Sequence, residues 1–215
     1  MRVIVTCGPS WEPVDQVRRL TNFSTGELGL MLAAALVREG HEVVCMKGDG
    51  ATAGVEAAGA EVVLFSTNDD LLRKLAGRAG WAGAVFHAAA LCDYKVKLVA
   101  GAGRARKLPT SAGEVTLTLE PAAKVLPQLR ALFPAAKIAG WKYELDGTRA
   151  DVLAKAERQI SECGTDACVV NGAAWGGGFG MVEAGKPVME AGDKAGLCAL
   201  LVEWLRRRTA VRGAA

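Results

Sequence analysis

Residues 2–40 read RVIVTCGPSWEPVDQVRRLTNFSTGELGLMLAAALVREG, and this stretch decides the fold. RVIVTCGP (2–9) is a continuous Val/Ile run, the pattern of a strand buried on both faces. GELGLMLAAALVREG (26–40) is apolar with a polar, glycine-ended exit, and reads as a helix. Between them lies a Ser/Thr/Gly turn, Ser24-Thr25-Gly26. A buried strand that feeds such a turn into a helix start makes an anion cradle, because free backbone N–H groups and the positive end of the helix dipole meet there. The loop is neither GxGxxG nor GxxxxGK[ST], so the standard dinucleotide and P-loop readings fit poorly. It also carries Arg18 and Asn22, polar groups that a plain turn does not require. A different phosphate-handling chemistry is expected.

Outward from this unit, strand-like and helix-like segments alternate. HEVVCMKG (41–48), EVVLFST (61–67), GAVFHAAAL (83–91), KIAGWKYE (137–144) and DACVVNGA (166–173) read as short buried strands. NDDLLRKLAGRAG, PAAKVLPQLRALF, TRADVLAKAERQISECG and DKAGLCALLVEWLRRR read as helices with Asn/Asp, Pro or Thr starts. Repeated βα units predict an α/β, Rossmann-like, doubly wound and mainly parallel sheet, with ligands at the carboxyl ends of its strands. Residues 93–119, DYKVKLVAGAGRARKLPTSAGEVTLTL, break the rhythm. They lack helical periodicity, hold basic residues and glycines, and end in TLTL at strand period, so they read as a basic flap plus a β-hairpin. WGGGFG (175–180) reads as a second loop over the same sheet edge. The expectation is one domain over residues 1–215 with an excursion at 93–119.

The bulk numbers bound the function. A chain of 215 residues that is 51% hydrophobic and 23% charged can build a large core. Its net charge of +3 is too mild to argue for nucleic acid. The one dense basic tract, LRRR (205–208), complements a helix C-terminus. The six cysteines are scattered without a CxxC pair, which predicts buried reduced thiols rather than zinc ligands. With two histidines in the chain, a Ser–His–Asp hydrolase is not expected. No signal-peptide pattern opens the chain and no apolar run reaches bilayer-spanning length, so a cytoplasmic protein without membrane partners is expected.

The motifs carry more. TCGPSWEPVDQVRRLTNFSTGELG (6–29) resembles the long opening signature T-x-G-x-T-x-E-P-[IV]-D-x-V-R-x-[IL]-[ST]-N-x-S-[ST]-G of the phosphopantothenoylcysteine synthetases of coenzyme A biosynthesis. HAAALCDY (87–94) is similar to that family's AAAVADY segment, and RARK (104–107) stands at the place of its KxKK flap. LEPAAKVL (119–126), AGWKYE (139–144) and VVNGAAWGGGFG (169–180) stand where the family has L-x-x-NPDIL, VGFAAET and IVAND…GF. The likeness runs from about residue 3 to 188. It implies a Rossmann-like fold and a homodimer formed through the excursion. It also implies a ligase that activates the carboxylate of 4′-phosphopantothenate with a nucleoside triphosphate and then joins it to cysteine. CTP is the expected nucleotide and ATP the alternative, with Mg²⁺ as the accompanying ion. No flavin-binding half precedes Met1, so a stand-alone synthetase is expected.

The resemblance also implies site residues. Asn22 would stabilise the acyl-nucleotidylate or its tetrahedral successor, Lys107 would neutralise the triphosphate, and Arg18 would bind an anion. Gly8, Ser24, Thr25, Gly26, Ala89, Asp93, Trp141, Lys142, Asn171 and Phe179 would line the nucleotide, with Asp93 also helping to place the metal. Read as residues alone, Asn22 could instead cap the turn, Lys107 could be a solvated loop lysine, and Asp93 a turn residue. Trp141 and Trp175 could pack as core or lid. Two other functions stay open. One is a non-catalytic relative that binds nucleotide and releases no pyrophosphate. The other is a nicotinamide-dependent oxidoreductase, for which KGDG (47–50) offers only Asp49 as a ribose-binding acid.

Overall fold

The computed structural model describes residues 1–97, 107–108 and 113–210, the side chains of 208–210 excepted. Arg104 and Arg106 of the basic flap, and nearly half of the excursion, lie outside the described residues. The chain runs β1 (Arg2–Cys7), β2 (Trp11–Pro13), β3 (Arg19–Thr21), α1 (Glu27–Arg38), β4 (Glu42–Gly48), β5 (Glu61–Phe65), α2 (Asn68–Ala76) and β6 (Ala84–His87). It continues with β7 (Tyr94–Val96), β8 (Leu119–Pro121), α3 (Leu129–Leu132), β9 (Lys137–Tyr143), α4 (Arg149–Cys163), β10 (Ala167–Asn171), β11 (Phe179–Val182), β12 (Met189–Ala191) and α5 (Lys194–Ala210).

Eight strands form one sheet in the order β12-β11-β10-β9-β6-β1-β4-β5. All six strands expected from the apolar runs are present and parallel to one another. Numbered among themselves they stand 3-2-1-4-5-6, the dinucleotide-fold order, with the switch point between β1 and β6. The sheet is covered on both faces. Alternate residues of β1 (Val3, Val5, Cys7) pack with α1 and α5, and Ile4 packs on the opposite face with Leu71, Leu75, Leu129 and Phe133. On that second face α4 brings Val152, Ala156 and Ile160 against Cys168 and Val170 of β10. All six cysteines are free.

The structure differs from the sequence reading in three places. PAAKVLPQLRALF is not one helix but a 3₁₀ turn over Leu126–Gln128 and the single turn of α3. Pro127 sits in that turn, where its ring and missing N–H forbid an α-helical interior. The glycine-rich segment at 175–180 does not end as loop, because Phe179 and Gly180 start β11, which pairs antiparallel with β10. Trp11–Pro13 and Arg19–Thr21 pair as a small hairpin inserted between β1 and α1. The expected hairpin of the excursion is present at its base, where Tyr94–Val96 pairs antiparallel with Leu119–Pro121.

α1 lies so close on β1 that a Cβ at Gly29 would run into the Cβ of Cys7. Gly29→Ala is therefore expected to destabilise the fold by about 1–3 kcal/mol through overpacking. A lowered urea midpoint with unchanged denaturant dependence would show it, and a midpoint equal to the parent's would contradict the tight contact.

Candidate functional site

The carboxyl ends of β1 and β6 diverge at the switch point, and the chain builds a site there. Past β1, the carbonyl of Gly8 accepts from the Ala90 N–H at 3.0 Å and the Ser10 N–H donates to the Ala90 carbonyl at 3.1 Å. These bonds continue the parallel pairing beyond the strands as an isolated bridge, Pro9 to Ala90. Gly8 and Gly26 both hold positive φ, 77° and 81°, which favours glycine. A Cβ on Gly26 would stand 3.2 Å from the Gly8 Cα and 3.0 Å from the Ala51 Cβ. The Ser24-Thr25-Gly26 turn is thus drawn tight over the end of β1. Gly26 caps α1 without a side-chain acceptor of its own; the Glu27 N–H makes a long bond to Thr25 Oγ1 at 3.4 Å, and a helix start of this kind can take an anion.

Asn22 stands on the exposed side of this turn, and its Nδ2 donates to the Ala90 carbonyl at 3.0 Å. That bond uses one of the two amide hydrogens and fixes the plane of the group at the switch point. It also explains why Asn22 is not a helix cap. The floor beneath is polar and buried. Thr6 Oγ1 and His87 Nδ1 are 2.8 Å apart, and the Ala89 N–H donates to the same hydroxyl at 3.4 Å. Burial pushes the His87 imidazole down to about 4, so it is neutral at pH 7. Ser10 Oγ donates to Asn68 Oδ1 at 2.7 Å and accepts the Cys92 N–H at 2.8 Å. Asn68 Nδ2 then donates to the carbonyls of Cys92 (2.8 Å) and Ala123 (2.9 Å). This network locks the loop that carries Asp93. Neither Ser10 nor Asn68 stands out in the sequence: Asn68 shows only as a helix-start residue, and the partners lie 24 to 82 residues away.

The remaining expected residues divide into groups. Asp93 is exposed and ion-paired with Lys124. Trp141 and Lys142 lie near the carboxyl end of β9, Asn171 ends β10, and Phe179 begins the antiparallel β11, which sets all four at the same sheet edge one to three strands beyond β6. Lys142 Nζ is 3.8 Å from Glu144, whose other oxygen is paired with Lys155. Trp175 is buried, with Arg149 stacked over its ring 3.8 Å from the centroid. Arg18 Nη1 donates to Asp15 at 2.5 Å, and both Arg18 terminal nitrogens reach the Leu108 carbonyl at 3.3 Å. Lys107, next to Leu108, is exposed. Asp49, the acid after the second parallel strand, accepts from Trp11 Nε1 at 2.6 Å and lies 3.8 Å from Arg19. It is occupied by the β2–β3 hairpin, which leaves no ribose-binding acid displayed at its place in the dinucleotide fold. No three His, Cys, Asp or Glu side chains among the described residues gather as a metal site. No helix among them is long and apolar enough to cross a membrane.

Known proteins match this architecture. The family described as DNA/pantothenate metabolism flavoprotein C-terminal domain matches residues 1–195. A coenzyme A biosynthesis bifunctional protein CoaBC from Thermococcus kodakarensis is 27% identical over 175 residues, covering 79% of this chain and 41% of that protein. The chain therefore spans about two fifths of the length of that relative. A solved structure of the DNA/pantothenate metabolism flavoprotein from Streptococcus pneumoniae superposes with a TM-score of 0.85 at 20% identity, over 97% of this chain and 99% of that one. A Cab2 variant in complex with phosphopantothenate-cysteine superposes with a TM-score of 0.79 at 14% identity, over 100% of this chain and 89% of that one. At those identities the two structures show a shared fold.

The neutral, buried His87 makes the floor of the site pH-dependent. Its folded value near 4 lies below the ordinary 6.5, so the unfolded chain binds the extra proton first as pH falls. Stability from this group is complete above about 6.5 and is lost on descending to 4. Between pH 7 and 4.5 this amounts to about 2 kcal/mol. His87→Asn, which keeps a polar atom for Thr6 but cannot be protonated, should lose that share of the pH dependence in urea unfolding. An unchanged difference between the two pH values would refute the assignment.

Proposed function

Because the chain belongs to the DNA/pantothenate metabolism flavoprotein C-terminal domain family, we propose that it is a phosphopantothenate–cysteine ligase working at the β1–β6 switch point. One observation of the site carries the reading: Asn22 is held by the Ala90 carbonyl four residues before a helix start whose N-cap, Gly26, has no side chain to cover the first turn, so an amide donor and a helix N-terminus come from one short loop. The identity of a CoaBC relative supports the substrate, and the likeness in fold to a protein bound to phosphopantothenate-cysteine is in keeping with it.

A carboxylate is a poor electrophile, because its leaving group would be oxide. In the proposed reaction a carboxylate oxygen of 4′-phosphopantothenate attacks the α-phosphorus of a nucleoside triphosphate, and pyrophosphate departs. The amine of cysteine then adds to the acyl carbon, loses a proton, and expels the nucleoside monophosphate. There is little covalent work for the protein in either step, so positioning and fixed charge do most of it. Lys107 supplies charge to the departing pyrophosphate. The N–H groups after Gly26 receive a phosphate oxygen. The second amide hydrogen of Asn22 stabilises the oxygen that gains charge as cysteine adds. CTP is the proposed nucleotide before ATP. Mg²⁺ commonly takes one or two carboxylates and completes its shell with substrate phosphates and water, and the site offers Asp93 for that, in exchange for its Lys124 partner. Such an ion would neutralise charge on the phosphates.

The first test is pyrophosphate release with 4′-phosphopantothenate and Mg²⁺, with CTP and ATP in parallel, with and without cysteine. Release that requires phosphopantothenate is expected, faster with CTP. Silence with both nucleotides from folded protein would turn the assignment to a non-catalytic relative.

Two variants separate the half-reactions. Asn22→Asp sets a carboxylate against the Ala90 carbonyl and the developing oxyanion, and should leave pyrophosphate release measurable while amide formation falls about 100-fold or more. Normal amide yield would remove the role. Lys107→Gln should lower pyrophosphate release about tenfold or more, and an unchanged rate would strike it from the site.

A further inference from the structure

Asp15 has no part in the chemistry above, yet it is the most heavily bonded carboxylate near the site. Its side chain is fully buried. Oδ1 accepts the N–H groups of Val17 at 2.8 Å and Arg18 at 2.7 Å. Oδ2 accepts Arg18 Nη1 at 2.5 Å and the N–H of Leu108 at 3.0 Å. The first two bonds make an ordinary Asx turn, for which any Asp or Asn suffices. The other two do not belong to the turn. Leu108 lies 93 residues away, and its carbonyl is gripped in addition by both terminal nitrogens of Arg18 at 3.3 Å. The backbone N–H and carbonyl of one flap-region residue are thus both held by a single ion pair, and Lys107 is the preceding residue.

We propose that Asp15 and Arg18 form a clamp on Leu108 that positions Lys107, so that Arg18 acts in this chain by holding the flap backbone and not chiefly by binding a substrate anion. The Arg18 charge is already matched by the Asp15 carboxylate at 2.5 Å, which leaves less of it for a phosphate. The planar fork of arginine accounts for the residue type: it reaches a carboxylate and a carbonyl together, which lysine does not do with equal geometry. The Leu108 N–H, foremost among the donors, holds the Asp15 carboxyl down to about 2, so the clamp is ionised and closed at neutral pH. Neutral asparagine at this place would keep the turn, but one oxygen would become an amide nitrogen and the charge would be lost. Asp15 and Arg18 are therefore positioning residues. Their link to turnover through Lys107 rests on the ligase reading, whereas the clamp itself does not.

The test has two independent readouts on Asp15→Asn and Lys107→Gln. Hydrogen exchange followed at the Leu108 amide reads the clamp without any substrate. Asp15→Asn should speed exchange there about tenfold or more while amides of the central strand β1 stay protected, and an unchanged Leu108 rate in folded protein overturns the proposal. Pyrophosphate release with 4′-phosphopantothenate, CTP and Mg²⁺ reads the consequence. Asp15→Asn should lower the rate about ten- to a hundredfold, and the double variant should be little worse than Lys107→Gln alone, since both act through one group. Fully multiplicative losses would overturn the link to Lys107. If Asp15→Asn does not fold, Leu108→Pro removes the donated hydrogen, together with the leucine side chain and some backbone freedom at Lys107, and should lower the rate at least as far as Lys107→Gln; a parent-like rate from that variant overturns the proposal. Accelerated exchange in a protein that releases no pyrophosphate with any nucleotide would support the clamp and sink the ligase instead.

Discussion

The site depends on the absence of side-chain atoms where β1 meets α1. Gly26 comes within Cβ distance of the Gly8 Cα and of Ala51, and Gly29 lies against Cys7. With a Cβ at any of these places the helix would have to lift from the sheet. The donors at its start would then move away from the carbonyl of Ala90, to which Asn22 is bonded. Protein interiors are packed densely enough that such a shift is not absorbed locally. The glycines therefore act on ligand binding at one remove. They fix the distance between a helix N-terminus and a strand end, and Asn22 is then set by a hydrogen bond across that fixed gap.

The fold was legible because its signals are local. The parallel strands are short apolar runs bounded by polar or glycine turns, and in β1, β4, β6 and β10 burial on both faces removes the alternation that an exposed sheet would show, while β5 at the sheet edge leaves Val62 and Leu64 exposed. A helix start was legible where the cap is local too, as with Thr148 before α4, whereas Thr67, the cap of α2, reads in the sequence as the end of a strand. The three-residue strands Trp11–Pro13 and Arg19–Thr21 left no such trace. They are too short for a period and owe their pairing to the insertion's two anchored ends, Thr21 on the Ser10 carbonyl and Trp11 on the Ser66 carbonyl. The site was half legible for the same reason. Asn22, Arg18 and Asp93 lie in recognisable runs, but what each touches is set by partners far along the chain.

Those partners change what the charged residues mean. Arg18, Asp93 and Lys142 read from sequence as isolated charges facing a ligand. In the fold Arg18 is paired with Asp15, Asp93 with Lys124, and Lys142 shares Glu144 with Lys155. The Arg18 and Lys142 pairs have a largely buried acid, whereas Asp93 and Lys124 are both solvent-exposed and their attraction is correspondingly weak. Lys124 can therefore leave Asp93 at small cost, while Asp15 will not release Arg18 so readily. The edge accordingly combines a fixed part near β1 with an exchangeable part after β6.

The same strand order elsewhere serves dinucleotides, so the sheet does not choose the ligand; the insertion after β1 does. In a dinucleotide-binding chain the turn after β1 is short and glycine-rich, and an acid at the end of the second parallel strand is displayed to a ribose. Here that turn is lengthened into the β2–β3 hairpin. Its Trp11 indole donates to Asp49 and its Arg19 lies over the Trp11 ring, 5.6 Å from the centroid. The acid is spent on holding the hairpin, and the space above the second strand is given to protein. What the hairpin delivers in return is Asn22 at the switch point, on the opposite side of β1 from Asp49. One insertion thus closes the adenosine-side groove of the parent fold and opens a donor-lined place beside β6. That exchange, and not a change in the sheet, separates this site from a dinucleotide-binding one.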